Sequence, residues 1–185
     1  LYRGQCDTNF GEIFTYFHLD IADKLSNDRE MDVKLDHFDC RILEELQRDS
    51  AQSQRSLSDK VGLSQNACWR RLKALEAAGV IRNHTVVLDR DRLGAGLVVF
   101  VMIRTRHHDD AWARRFRARV ESIPEITEFH RIGGEWDYMA KLVTTSMAGY
   151  DLCYKALIAD MDLERVTGVF SMETIFEGRP LRLPR

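Results

Sequence analysis

The amino-acid sequence predicts an α+β chain, in which an N-terminal winged helix-turn-helix precedes a C-terminal ferredoxin-like βαββαβ domain. Three observations carry this expectation. Residues 35–79 hold three helix-periodic runs set off by capping residues and by Gly62 and Gly79. Residues 97–176 alternate strand-like and helix-like runs in the order βαββαβ. Between them DRDRLGAG, residues 89–96, is polar and glycine-containing, as a linker would be. The expected organisation is therefore an extension at 1–30, the helix-turn-helix at 31–88, a linker at 89–96, the second domain at 97–178 and a tail at 179–185.

The first helix is expected in LDHFDCRILEELQRDS. Leu35, Phe38, Ile42 and Leu46 share one face with Leu43 beside them, and the run should end near Asp49. In SQRSLSDKVG, Ser53 is placed to cap a helix of about two turns that buries Leu57 and Val61 and stops at Gly62. Only Leu63 separates Gly62 from Ser64, a second N-cap, so a tight turn must join two helices. The third helix should run from Gln65 to about Ala78. Cys68, Leu72 and Leu75 form its inward stripe, while Gln65, Asn66, Trp69, Arg70 and Lys73 point away. Beyond Gly79, VIRNHTVVLD alternates weakly, and Asn83-His84 is read as the turn of a two-stranded wing carrying Arg82 and His84.

The polar face of the third helix suggests its use. Amides at a helix start suit adenine, guanidinium groups suit guanine, and exposed helix N-termini suit phosphate. Residues 55–82 hold six basic residues against two acidic ones, although the whole chain of 185 residues has a net charge of only −2. Double-stranded DNA is the expected partner. The candidate DNA-binding residues are Ser64, Gln65, Asn66, Trp69, Arg70, Arg71, Lys73 and Arg82, with Arg71 and Lys73 assigned to phosphates.

In the second domain, LVVFVMIRT is the first strand. A helix over 110–122 follows, with Trp112, Phe116 and Val120 on one face, and Pro124 closes it. ITEFHRIGG and DYMAKLVTT are strands joined by the Gly133-Gly134-Glu135-Trp136-Asp137 turn. Ser146 caps a helix to about Ala159, and VTGVFSMETIF is the fourth strand. Two helices cover only one face of a four-stranded sheet, yet 97–103 is continuously apolar. The second face is expected to be covered by another copy, making a homodimer or higher oligomer.

Composition bounds the remaining possibilities. Hydrophobic residues at 44% and charged residues at 30% describe a globular chain. Cys6, Cys40, Cys68 and Cys153 lack zinc-ligand spacing, so no metal and no disulfide is expected, and a reducing cytoplasm is the expected setting. No apolar run reaches the roughly 18 residues that span a bilayer, so no membrane partner is expected. Residues 1–30 are weakly helix-periodic and contain no methionine before Met31. They are either a helical extension or sequence ahead of a biological start at Met31, the second being preferred.

These residues closely resemble the leucine-responsive regulator/asparagine regulator (Lrp/AsnC) family of prokaryotic transcription factors. The resemblance is carried by LDHFDCRILEELQRD, VGLSQNACWRRLKALEAAGVI, LVVFVMI and IGGEWDYMAKLV, and it covers about 35–178. It implies an N-terminal DNA-binding domain and a C-terminal domain that dimerises and senses a small molecule, usually an amino acid. The effector would sit at a junction between sensor domains, near the turn formed here by Gly133, Gly134, Glu135 and Asp137. Glycine amides can approach a carboxylate, and either acid can pair with an α-ammonium group. Glu135 stands where the family often has aspartate.

Two other readings remain open on sequence alone. One is a low-specificity protein that organises long stretches of DNA. The other is an enzyme, since relatives of this family include sirohaem decarboxylases. His107, His108, His130 and Tyr138 would be its candidate groups, but no catalytic constellation or cofactor motif is present, so no catalytic residue and no cofactor is expected.

Overall fold

The computed structural model describes residues 33–184, and the expected extension at 1–30 lies outside the described residues. Two compact units form. One ends at Val86 and takes in the segment from Phe176 onward; the other runs Val87–Ile175.

The first unit is built on α1 (His37–Arg48), α2 (Gln54–Val61) and α3 (Gln65–Ala77). A capping box starts α1. The Asp36 carboxylate accepts the Asp39 N–H at 2.9 Å, and the Asp39 carboxylate accepts the Asp36 N–H at 3.1 Å. Ile42, Leu43, Leu57, Val61, Cys68 and Leu75 are the buried core that all three helices share. Gly62 caps α2 with φ +79°, where a side chain would be strained. The N–H groups of Gly62 and Leu63 both donate to the Ser58 carbonyl, at 2.9 and 3.0 Å. Ser64 immediately caps α3 by accepting the Ala67 N–H at 3.3 Å, so the reversal takes only two residues.

The C-terminal segment completes this unit. Leu183 packs on its core, and the Gln47 side-chain amide clasps the Leu181 backbone. In that clasp Gln47 Nε2 donates to the Leu181 carbonyl at 3.2 Å, and Leu181 N–H donates to Gln47 Oε1 at 2.6 Å.

The two-stranded wing expected over Val80–Asp89 is not formed. Residues 82–89 run without a strand, and Val86, Val87 and Leu88 are exposed. A tight two-residue hairpin at Asn83-His84 would require positive φ there, and the positive-φ residues on either side are Gly79 and Gly94. Without a reversal the run cannot pair with itself.

The second unit contains β1 (Leu97–Arg104), α4 (Asp110–Glu121), β2 (Ile126–Arg131), β3 (Tyr138–Thr144), α5 (Met147–Ile158) and β4 (Arg165–Phe170). The strands lie in the order β2-β3-β1-β4, with every pairing antiparallel. This is the expected ferredoxin-like arrangement, with β1 and β3 central. Val99, Val101 and Ile103 of β1 pack with Trp112, Phe116 and Val120 of α4 and with Cys153 and Leu157 of α5. By alternation Val98, Phe100 and Met102 point to the opposite face, where Phe100 and Met102 are only half-buried and the neighbouring Val169 is exposed. The strand expected over 166–176 stops at Phe170. Phe170 is already opposite Val99 and Ser171 N–H bonds the Val98 carbonyl, so the chain beyond runs past the start of β1.

Candidate nucleic-acid interface and effector turn

On α3 the core contacts of Cys68 and Leu75 decide which residues face outward. Gln65, Asn66, Trp69, Arg70 and Lys73 are all exposed, and their spacing of one, three and four residues places them on one face. Trp69 is 50% exposed, an unusual position for so large an apolar ring. Ser64 holds the first turn in register by its cap. The helix is about 20 Å long, the length that lies across a major groove.

The basic residues fall into different environments. Arg70 makes no ion pair among the described residues and is free to extend. Lys73 pairs with Glu76 at 2.6 Å, and His84 approaches the same carboxylate at 3.6 Å; Lys73 first, and His84 to a lesser degree, hold Glu76 below the usual carboxylate range. Arg82 is exposed on the extended run after α3. Arg71, expected at a phosphate, is placed differently. Its Nη1 lies 2.7 Å from Asp36 Oδ2 and 2.9 Å from Asp39 Oδ1, and its guanidinium sits 5.5 Å from the centre of the Phe38 ring. Asp36 is held below its ordinary range, first by the Asp39 N–H and then by Arg71.

The turn expected to meet the effector, residues 133–137, joins β2 to β3. Gly134 adopts φ +112°, a conformation reserved for glycine. The two acids have distinct settings. Asp137 Oδ2 accepts the N–H of Thr105 at 2.8 Å, and the Asp137 N–H bonds the Ile103 carbonyl at 3.0 Å, so this residue fastens the turn to the end of β1. Glu135 is exposed, with its carboxylate 3.6 Å from Arg165, whose guanidinium lies 5.0 Å from the centre of the Trp136 ring. Sequence reasoning missed Arg165 because it comes from β4, thirty residues away in the chain. A groove of about 640 Å³ runs between α4 and β2, lined by Arg117, Glu121, Phe129, Arg131 and Tyr138 among others, and none of residues 133–137 lines it.

The candidate enzymatic groups are dispersed in their contacts. His107 bonds Asp162 at 2.7 Å and stacks on Trp112, whereas His130 lies 3.6 Å from Glu128. Tyr138 stacks on Phe129, and His108 is exposed. The thiols of Cys68 and Cys153 are pushed up by burial, so both are poor nucleophiles.

Comparison with known proteins identifies the two domains that carry these residues. Residues 35–82 match the family of winged helix-turn-helix DNA-binding domains, and residues 98–181 match the Lrp/AsnC ligand binding domain. The glutamate uptake regulatory protein of Zymomonas mobilis is 44% identical over 151 residues, which is 82% of this chain and 92% of that protein. The DNA-binding transcriptional activator DecR of Escherichia coli is 39% identical, over 76% of this chain and 93% of its own. Among solved structures, an AsnC family transcriptional regulator from Agrobacterium tumefaciens superimposes with TM-score 0.75 at 39% identity, covering 81% of this chain and 97% of that one. A transcriptional regulator from Neisseria meningitidis, solved in complex with L-methionine, gives TM-score 0.75 at 29% identity, covering 80% and 97%. The chain therefore belongs to the Lrp/AsnC family, as a DNA-binding transcriptional regulator that joins a helix-turn-helix to a small-ligand-binding domain.

Proposed function

We propose that this regulator reads base sequence through α3. Gln65, Asn66, Trp69 and Arg70 contact base edges, the first turn at Ser64 approaches a phosphate, and Lys73 and Arg82 lie along the backbone. The observation that carries this reading is the outward face of α3, where amides, an exposed tryptophan and an arginine with no ion pair among the described residues share one side of a helix fixed to its core by Cys68 and Leu75. A pair of such helices in a symmetric dimer would read a pseudo-palindrome with half-sites separated by whole helical turns. The half-buried Phe100 and Met102 on the helix-free face of the sheet support a second copy as its cover.

The proposed effector is an amino acid, as is the ligand in the Neisseria meningitidis complex. Glu135 is the acid available to an α-ammonium group, because Asp137 already serves the Thr105 N–H. Because Glu135 is 62% exposed in the single chain, a second wall from another copy would complete the site. We read the chain as a non-enzymatic cytoplasmic protein; of the candidate groups, His107, His130 and Tyr138 are engaged in packing and polar contacts.

The test is fluorescence anisotropy of residues 31–185 on the duplex upstream of its own gene and on a scrambled duplex, across a salt series. Preference for the native duplex, with Arg70→Ala removing about tenfold or more of it, is expected. Lys73→Ala should weaken both duplexes alike and lower the salt slope by about 0.9. Equal affinity for both duplexes would replace this reading with that of a DNA-organising protein.

A further inference from the structure

We propose that Arg71 is a positioning residue that sets the roll of the reading helix, although it sits beside the base-reading Arg70. The inference rests on α3 being the helix that meets DNA, and it separates two chemically identical neighbours by their surroundings.

The geometry is that of a prepared socket. Asp36 and Asp39 are held toward each other by the reciprocal capping-box bonds at 2.9 and 3.1 Å, so their orientation is set by the start of α1. Both carboxylates converge on Arg71 Nη1, at 2.7 and 2.9 Å, and the Phe38 ring lies against the guanidinium. The arginine side chain is only 31% exposed and Asp39 only 15%. A phosphate approaching this guanidinium would meet two carboxylates carrying together more charge than the arginine does. The cluster therefore repels the group that a phosphate-contacting arginine must attract.

The consequence for recognition is geometric. Successive residues on an α-helix are turned by about 100°, so a side chain anchored at position 71 fixes the azimuth of Trp69, Arg70 and Lys73. A roll of about 20° moves a group about 6 Å from the axis by about 2 Å. That displacement breaks a hydrogen bond whose useful range spans only about 0.5 Å. Contacts to phosphates, which tolerate long flexible side chains, survive such a roll better than contacts to base edges. Arg71 thus acts through Gln65, Asn66, Trp69 and Arg70, and its loss should erode sequence preference more than total affinity.

The experiment compares three forms of the full chain with the unaltered protein: Arg71→Gln, the double variant Asp36→Asn with Asp39→Asn, and the triple combination. Asparagine retains N-capping ability, so α1 keeps its start in the double variant. Binding is measured by anisotropy on a duplex selected from a random pool by the unaltered chain and on a scrambled duplex, across a salt series. The temperature is one at which circular dichroism shows every form folded. Arg71→Gln and the double variant are each expected to lower the ratio of selected to scrambled affinity by about tenfold, the scale of one lost base contact. The salt slope should remain unchanged, and the triple variant should be no worse than either parent.

Two results would overturn the proposal. One is a fall of about 0.9 in salt slope for Arg71→Gln, which marks a lost phosphate contact. The other is tighter binding by the double variant, as expected if the aspartates merely mask a DNA-binding cation. Both hold on any duplex. Absence of sequence preference in the unaltered chain would sink the base-reading assignment separately, leaving salt slope and the sign of the double-variant effect to decide Arg71.

Discussion

The C-terminal segment is predicted to be a structural part of the DNA-binding unit, and Leu183→Ala tests it. Leu183 is half-buried on the core that contains Ile42 and Leu75, so truncation to alanine should cost about 1 kcal/mol, roughly half the value of full leucine burial. The Gln47 clasp adds two neutral hydrogen bonds to the Leu181 backbone, at 3.2 and 2.6 Å, each with a net value of about 0.5–1 kcal/mol at an exposed site. Docking of the segment therefore has a ceiling of about 2–3 kcal/mol before the cost of ordering it. Because both contacts hold the same short segment, Gln47→Ala and Leu183→Ala should be less than additive: once it is released, the second contact has nothing left to hold. The assay is amide hydrogen exchange of residues 37–48 followed by mass spectrometry, where about 1 kcal/mol appears as roughly fivefold faster exchange through unfolding of the unit. Exchange in α1 within twofold of the unaltered protein for both single variants would refute the structural role of the segment.

Four further outcomes follow from particular contacts. Asp137→Ala should destabilise the second unit by about 1–3 kcal/mol because the Thr105 N–H, in a residue only 3% exposed, loses its acceptor; Asp137→Asn should restore most of this, and a thermal melt distinguishes them. Glu135→Gln should leave that melt unchanged while altering the response of DNA binding to added amino acids, and an unaltered response would remove Glu135 from the effector site. Gly168→Ala should cost about 1–3 kcal/mol, since the added methyl group would collide with the Tyr150 hydroxyl and stand 3.1 Å from Tyr150 Cζ and 3.4 Å from Val99; an unchanged melting temperature would show that the ring yields freely. Acid should loosen the clamp at α1. The Asp36 carboxyl is held below its ordinary range, so its contribution is present above the unfolded value near 4 and is lost as pH falls through its folded value; Asp36→Asn should flatten this acid limb in a melt series, and an unchanged limb would count against it.

Most of the fold was legible because its signals are local. Ser53, Ser64 and Ser146 cap the helices expected of them, and Gly62 stops α2 as its position between two periodic runs required. The βαββαβ order followed from alternation of period two and period 3.6. What escaped was set by partners distant in sequence. The fourth strand ends at Phe170 because β1 begins at Leu97, which nothing near residue 170 reveals. The docking of Leu181 onto Gln47 spans 134 residues and depends on a single amide. The expected two-stranded wing rests on weak alternation, but a ribbon also needs a reversal, and Asn83-His84 lacks the positive φ that would make one. At the turn between β2 and β3, Glu135 and Asp137 are equivalent acids in sequence. Only the position of the Thr105 N–H distinguishes the fastening Asp137 from the exposed Glu135.

The pair Arg70-Arg71 shows how far such reasoning can be taken from sequence, and where geometry must replace it. The two residues have the same chemistry and lie in the same basic run, so charge counting treats them alike. A helix turns about 100° between them, which carries one toward solvent and the other toward the start of α1. Whether the second arginine remains available then depends on what α1 presents. Here it presents Asp36 and Asp39, already aligned by their own capping bonds, and the guanidinium completes that arrangement. The spacing of these acids in LDHFD is legible as a helix start, but its second use as a socket requires knowing that α1 and α3 pack with these ends together. A clamp of this kind also explains why a local excess of positive charge overstates the cations that DNA can use. Of the six basic residues between 55 and 82, Arg71 is held by two carboxylates before any DNA arrives. The salt dependence of binding should therefore report fewer phosphate contacts than the sequence alone suggests.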